Sequence, residues 1–317
     1  MKKQLPILVS LCALFALVTA SAQVIDCASR GLHLCGELIL PSLFPFFVVS
    51  LLLAKLGFPQ KLGRLLSPLT RRLFRVSGAG ATALFIGLCG GYPMGSAYLA
   101  ELTEQGQLSP REAERLLGFG NNSGPAFLIG AIGGVVFASP RLGLLLYLSH
   151  ALAALLSGLL LSRLGGESSP EAPRAPWKPL PFPKALAEAV RGAVPAILQV
   201  CGFVILFTVF TGLLEANGFL PPLQRLGALL GLSPQQSRAL VLGFWELGGG
   251  IGALRGLAPT PGNLALAAAL VGWGGVSVHL QSLAPFADLP VRSSRHLLGR
   301  LLSAGLSAGL VWLLAAR

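Results

Sequence analysis

The chain has 317 residues, of which 53% are hydrophobic and only 11% charged. A soluble domain carries about a quarter charged residues, so this composition excludes one and marks a polytopic membrane protein. The formal net charge of +12 is expected to orient the chain in the bilayer, with Lys and Arg in cytoplasmic loops, and not to bind nucleic acid.

The N-terminus has two readings. Lys2-Lys3, the apolar run Leu5 to Val18 and Ala20-Ser21-Ala22 match a signal peptide with a small-residue cleavage site. They equally suit a first transmembrane helix or signal-anchor over residues 1–22, which is the reading favoured. Apolar segments then recur at roughly 34–56, 118–138, 142–163, 192–214, 263–283 and 297–315. Like 4–22, each is long enough to cross, since about 20 residues span the hydrocarbon.

Two further apolar segments are broken. In 79–100 the sequence Gly90-Gly91-Tyr92-Pro93-Met94-Gly95 interrupts the run; in 238–257 the interruption is Glu246 followed by Gly248-Gly249-Gly250-Ile251-Gly252. The stretch Gly165 to Pro183, with Pro170, Pro173 and Pro176 among mixed charges, reads as an extended linker. Around it the halves are weakly alike. Gly57-Phe58-Pro59 parallels Gly218-Phe219-Leu220-Pro221, and Ser67-Pro68 parallels Ser233-Pro234. The expected fold is an all-α polytopic membrane protein with two inverted repeats, re-entrant helical hairpins and broken helices. The first repeat occupies 30–164, a Pro-rich cytoplasmic linker 165–187 and the second repeat 188–317.

Charge fixes the orientation. If each broken segment enters and leaves on one side, the basic loop with Lys61, Arg64, Arg71, Arg72 and Arg75, the linker, and the loop with Arg292 and Arg295 all fall inside, as positive-inside topology requires. Full spans would put the linker and the last loop outside. Non-helical backbone at membrane depth survives only where protein or a water-filled cavity satisfies it. Inverted repeats with interrupted helices place a transporter's site near the midplane.

Candidate binding residues follow from these breaks. Ser109-Pro110-Arg111-Glu112 reads as a capping box with proline at the first helical position. It opens an amphipathic helix bearing Glu112, Glu114 and Arg115, expected along the membrane surface. That helix leads into Asn121-Asn122-Ser123-Gly124-Pro125. Pro125 disfavours helix at Gly124, so a helix restarts there with free N–H groups and a positive dipole end. Asn121, Asn122 and Ser123 add uncharged donors and acceptors, chemistry for a small polar or anionic solute; ordinary helix capping is the alternative.

Gly91, Tyr92, Pro93 and Gly95 form the first hairpin tip, where glycine permits close backbone approach and Tyr92 suits a ring. Gly249 and Gly250 are the counterparts in the second. Glu246, an acid deep in an apolar segment, is a functional candidate by default, for solute, proton or cation; a Glu246–Arg255 pair locking the hairpin is the alternative. Ser277 and His279 sit in the second half where Asn121–Ser123 sit in the first. Cys12, Cys27, Cys35, Cys89 and Cys201 show no CxxC spacing and the histidines are scattered, so no metal or other cofactor is expected. Without a Walker A, GxSxG or HExxH motif, an enzyme is not expected either.

These residues carry a resemblance. Leu40-Pro41-Ser42-Leu43-Phe44-Pro45-Phe46-Phe47, Gly91-Tyr92-Pro93-Met94-Gly95, the stretch Ser109 to Leu117, and Asn121-Asn122-Ser123-Gly124-Pro125 with Phe127 and Ile129 resemble the YlbJ-type sporulation integral membrane proteins. The likeness is sharper in the first half than around Gly243 to Gly252. It implies the Gate, or nucleoside-recognition, superfamily shared with concentrative nucleoside transporters. It also implies an outer forespore membrane location and dipicolinic acid as the small-molecule substrate. The other readings are a structural or assembly protein for spore cortex or envelope, a nucleoside-like solute carrier and a passive channel.

Overall fold

Lipid offers backbone groups no hydrogen-bond partners, so a chain this apolar must satisfy them within helices. The computed structural model describes residues 4–164 and 179–316, and among these there is no strand. Residues 1–3 and most of the expected linker, 165–178, lie outside the described residues.

The apolar stretch at the N-terminus forms α1, Leu5–Thr19. At about 1.5 Å per residue its 15 residues are short for a crossing, contrary to the expectation of a span over 4–22. After Ala20 the chain turns into α2, Ser21–Leu34, continued through a π-helical turn, Cys35–Ile39, into α3, Leu40–Leu56. Together they make one 36-residue span, Ser21–Leu56, and not the separate crossing expected at 34–56.

Gly57, at φ 82°, ends α3, and α4, Phe58–Phe74, follows directly. The basic stretch expected as a loop is therefore an amphipathic helix. It bends by 93° into α5, Gly78–Gly90. After the break comes α6, Met94–Glu104, then α7, Pro110–Leu117. Segment 118–138 is not one helix. Residues 118–124 are irregular, and a π-helical run, Ala126–Val136, follows Pro125. The first half closes with α8, Pro140–Arg163.

The second half repeats this order of elements. A 35-residue helix, α9, Phe182–Ala216, begins inside the stretch read as linker. Gly218, at φ 76°, precedes α10, Leu220–Leu229. A second broken pair follows, α11, Pro234–Trp245, and α12, Leu247–Gly252. Next come α13, Pro261–Trp273, and α14, Gly275–Leu283, interrupted at Gly274, and finally α15, Ser294–Ala315. Among the described residues, five helical segments are long and apolar enough to cross a membrane, and a sixth if the bent α4–α5 pair counts as one span.

The two long helices pack antiparallel. A Cβ on Gly31 would lie 2.9 Å from Ile205 Cα, one on Gly212 would lie 2.2 Å from Cys27 Sγ, and Cys35 Sγ is 3.8 Å from the Cys201 carbonyl. Small residues let the backbones meet, the usual basis of helix association in lipid.

Serine caps set the hairpin starts. Ser77 caps α5 through the Gly80 N–H and Ser233 caps α11 through the Gln236 N–H. The counterpart of Ser233 is thus Ser77; Ser67-Pro68 lies inside α4. Helix α7 braces the first hairpin. Glu112 and Arg115, expected on a surface helix, are buried at 3% and 2% exposure. Glu112 Oε1 accepts the Ser77 N–H at 2.6 Å, and Arg115 Nη1 donates to the Arg75 carbonyl at 2.7 Å. Burial raises the Glu112 pKa, opposed by the Ser77 hydrogen bonds and by Arg115.

Candidate functional site

The first hairpin is held shut by glycine. A Cβ on Gly95 would stand 2.8 Å from Gly87 Cα across the hairpin and 2.9 Å from Asn121 Oδ1. At the tip Gly91 has φ 82°, and a Cβ there would come within 2.9 Å of the Gly124 nitrogen. Only glycine meets both demands, and it presses the tip against the broken segment. The Tyr92–Pro93 peptide is cis. Beyond Gly91 the Tyr92 hydroxyl accepts from Arg300 Nη1 at 2.7 Å and lies 3.4 Å from the Val271 carbonyl.

In the broken segment Asn121 and Asn122 are fully buried. Asn121 Oδ1 accepts the Ser96 N–H at 3.2 Å, and its Nδ2 donates to Ser282 Oγ at 2.7 Å. Asn122 Nδ2 donates to the Phe119 carbonyl at 2.7 Å, and its Oδ1 accepts from Arg300 Nη2 at 3.3 Å. The Ser123 N–H donates to His150 Nε2 at 3.2 Å. His150 accepts there only with its proton on Nδ1.

The second hairpin turns on Glu246. Its backbone is extended between α11 and α12, and its carboxylate accepts the Gly248 N–H at 2.8 Å and the Gly249 N–H at 2.5 Å. It is the N-cap of α12, its side chain holding two of the first free N–H groups. Among the described residues no ion pair joins it to Arg255, so the hairpin is not locked by that pair. Trp245 packs edge-on against Phe210 and Phe244. A Cβ on Gly250 would sit 2.3 Å from Gly243 Cα, the counterpart of the Gly87–Gly95 contact.

The α13–α14 break occurs at Gly274 and Gly275, with φ of 90° and 84°. Ser277 is buried, and among the described residues its hydroxyl has no partner. His279 Nδ1 is 2.9 Å from His296 Nε2, and His296 Nδ1 is 3.1 Å from the Leu117 carbonyl. A carbonyl only accepts, so Nδ1 of His296 carries a proton. With His296 neutral, His279 is then the donor between the rings.

Three of these breaks and the helix that follows the fourth line one cavity of about 50 Å³. Gly91 and Tyr92 reach it from the first hairpin, Ser123 and Gly124 from the broken segment, Glu246, Leu247 and Gly248 from the second hairpin, and Val278 and Gln281 from α14. Phe127, Ile39, Leu43, Val200 and Val204 form apolar walls. Glu246 also borders a second cavity of about 90 Å³, with Gly249, Arg30, Glu215 and Arg238. There Arg238 is ion-paired to Glu215. A cavity of about 570 Å³ near Lys55, Arg64 and Glu101 holds none of the candidates.

Of the candidate residues, Gly91, Tyr92, Ser123, Gly124 and Glu246 are brought together on the cavity wall, and Gly249 lies on the second cavity. Asn121, Asn122, Pro93, Gly95, Gly250 and Ser277 are not on the central wall; the two asparagines bond the frame behind it. Arg300 was not anticipated. It lies on α15, 0% exposed, and donates to Tyr92, Asn122 and the Gly118 carbonyl. Its signal was an arginine within the apolar run Leu297 to Leu302.

No protein-family model matches the chain. Among curated proteins it is 36% identical over 211 residues to the sporulation integral membrane protein YlbJ of Bacillus subtilis (strain 168), an alignment covering 60% of this chain. The chain spans about half, 51%, of that relative's length. Among solved structures it resembles two CNTnw double variants in an outward-facing state, with TM-scores of 0.59 and 0.57 at 13% identity. Each covers 95% of this chain, and the chain covers 86% and 85% of theirs. The likeness establishes a helical membrane fold of the CNT kind. The identity to YlbJ supports a YlbJ-type assignment for this chain.

Proposed function

We infer that the protein is a membrane carrier, not an enzyme, for a small polar or anionic solute, and that it serves sporulation. One observation carries this reading: breaks in three separate helical elements, together with one face of α14, meet around one cavity. Interrupted helices at a repeat interface are how carriers present main-chain groups to a solute. The antiparallel packing of the two long helices supports an inverted relation between the repeats. The relative's name supports the sporulation role, and the CNT-like fold supports a small-molecule substrate.

Dipicolinic acid, moved across the outer forespore membrane, is the proposed substrate. Its flat ring suits the apolar walls and Tyr92, and its carboxylates suit the Tyr92 hydroxyl and the main-chain N–H groups. The test is uptake of labelled dipicolinate by vesicles reconstituted with the full chain. Saturable uptake above that of empty vesicles is expected; uptake no greater than that of empty vesicles removes the proposal.

A further inference from the structure

Arg300 is the largest fully buried side chain among the described residues. A guanidinium inside a membrane protein is costly unless it is paired. No carboxylate lies within ion-pair distance of Arg300 among the described residues. Its partners are neutral: Tyr92 Oη at 2.7 Å, the Gly118 carbonyl at 3.1 Å and Asn122 Oδ1 at 3.3 Å. Its Nε is buried without an acceptor among the described residues. The charge is therefore solvated but not neutralised.

Tyr92 connects this charge to the cavity. Its hydroxyl spends a lone pair on Arg300, which leaves its proton to donate. The acceptor present is the Val271 carbonyl at 3.4 Å, a long contact that a better acceptor would replace. Tyr92 lines the cavity, whereas Arg300 stands behind it. Glu246, on the same cavity lining, is already engaged by two N–H groups, and an ionised carboxylate there would have no proton to donate to an anion.

We propose that Arg300 is the specificity-determining residue of the cavity: acting through the Tyr92 hydroxyl, it selects solutes bearing a carboxylate and orients that carboxylate toward Tyr92 and away from Glu246. This rests on the reading above that the cavity holds the transported solute. A neutral solute of the same shape loses the charge-assisted hydrogen bond, so discrimination of about tenfold or more is expected.

The experiment uses the full chain in vesicles, with labelled pyridine-2,6-dicarboxylate and two unlabelled competitors, pyridine-2-carboxylate and pyridine-2-carboxamide. In the wild type the carboxylate competes about tenfold or more better than the amide. Arg300→Gln brings that ratio close to one, and Arg300→Lys retains part of it. Tyr92→Phe weakens the carboxylate more than the amide, because the amide loses only a neutral hydrogen bond. Folding of each variant is checked by monodisperse elution and thermal unfolding. A folded Arg300→Gln with the wild-type ratio overturns the assignment and leaves the carrier reading intact. If Arg300→Gln does not fold, Tyr92→Phe decides, and an unchanged ratio there overturns it. Wild-type vesicles that take up nothing overturn both readings.

Discussion

Asn121 and Ser282, 161 positions apart, are joined by a buried 2.7 Å hydrogen bond that ties the first broken segment to α14. The other end of the Asn121 amide holds the Ser96 N–H on α6. One side chain thus fastens three elements around the cavity without lying on its wall. Asn121→Ala leaves a buried N–H unpaired, at about 1–3 kcal/mol. Ser282→Ala costs less, and the double variant costs less than the sum. A double-mutant cycle by chemical denaturation, with coupling of about 0.5–3 kcal/mol, is the check; purely additive effects would contradict the contact.

The hairpin glycines give a steric test. Gly95→Ala and Gly250→Ala place a methyl carbon 2.8 Å and 2.3 Å from the facing glycine Cα. Overpacking of this kind costs about 1–3 kcal/mol and spreads each hairpin, so both variants are expected to melt lower and transport little. Gly252→Ala meets only Leu34 Cδ1 at 4.0 Å and serves as the tolerated control. Thermal unfolding of purified protein separates them, and equal melting temperatures for Gly250→Ala and Gly252→Ala would show the hairpin to be looser than described.

Glu246 is a cap as well as a cavity residue. Glu246→Ala frees two N–H groups and is expected to destabilise the second hairpin by about 0.5–2 kcal/mol, the usual worth of a cap. Glu246→Gln keeps an acceptor and loses only part of this. Amide hydrogen exchange at Gly248 and Gly249 reads the effect directly, with faster exchange in the alanine variant than in the glutamine one.

Glu112 braces the other hairpin from outside its span. Burial raises its pKa, so in the folded protein the charged form is held less easily than in the unfolded chain. This contribution to stability grows as pH falls through the raised folded value and is complete below the unfolded one. Glu112→Gln retains an acceptor for the Ser77 N–H and is expected to flatten this part of the pH dependence. Glu112→Ala orphans that N–H and costs about 1–3 kcal/mol. Unfolding midpoints of the three proteins across mildly acidic pH provide the measurement.

The breaks at Gly91–Pro93, Asn121–Pro125 and Glu246 were legible because glycine, proline and an isolated acid are local signals. The break at Gly274 was not, since Trp273-Gly274-Gly275 sits in an unbroken apolar run and glycines there serve packing as readily as turning. Helix α4 was read as a loop because its charges mask the apolar positions facing α5. The roles of Asn121 and Asn122 depend on Ser96, Ser282 and Arg300, partners that only the folded chain supplies. Arg300 was overlooked for the same reason: its meaning lies in the absence of an acid beside it, and sequence order holds no trace of that.

The glycine contacts within each hairpin have a mechanical corollary. Where Gly87 meets Gly95 and Gly243 meets Gly250, main chain touches main chain, and the two arms have no room to flex against each other. Each hairpin is then a stiff wedge. Any rearrangement that opens the cavity has to swing the wedge about its feet, near Ser77 and Ser233, with the tip carried along as a passenger.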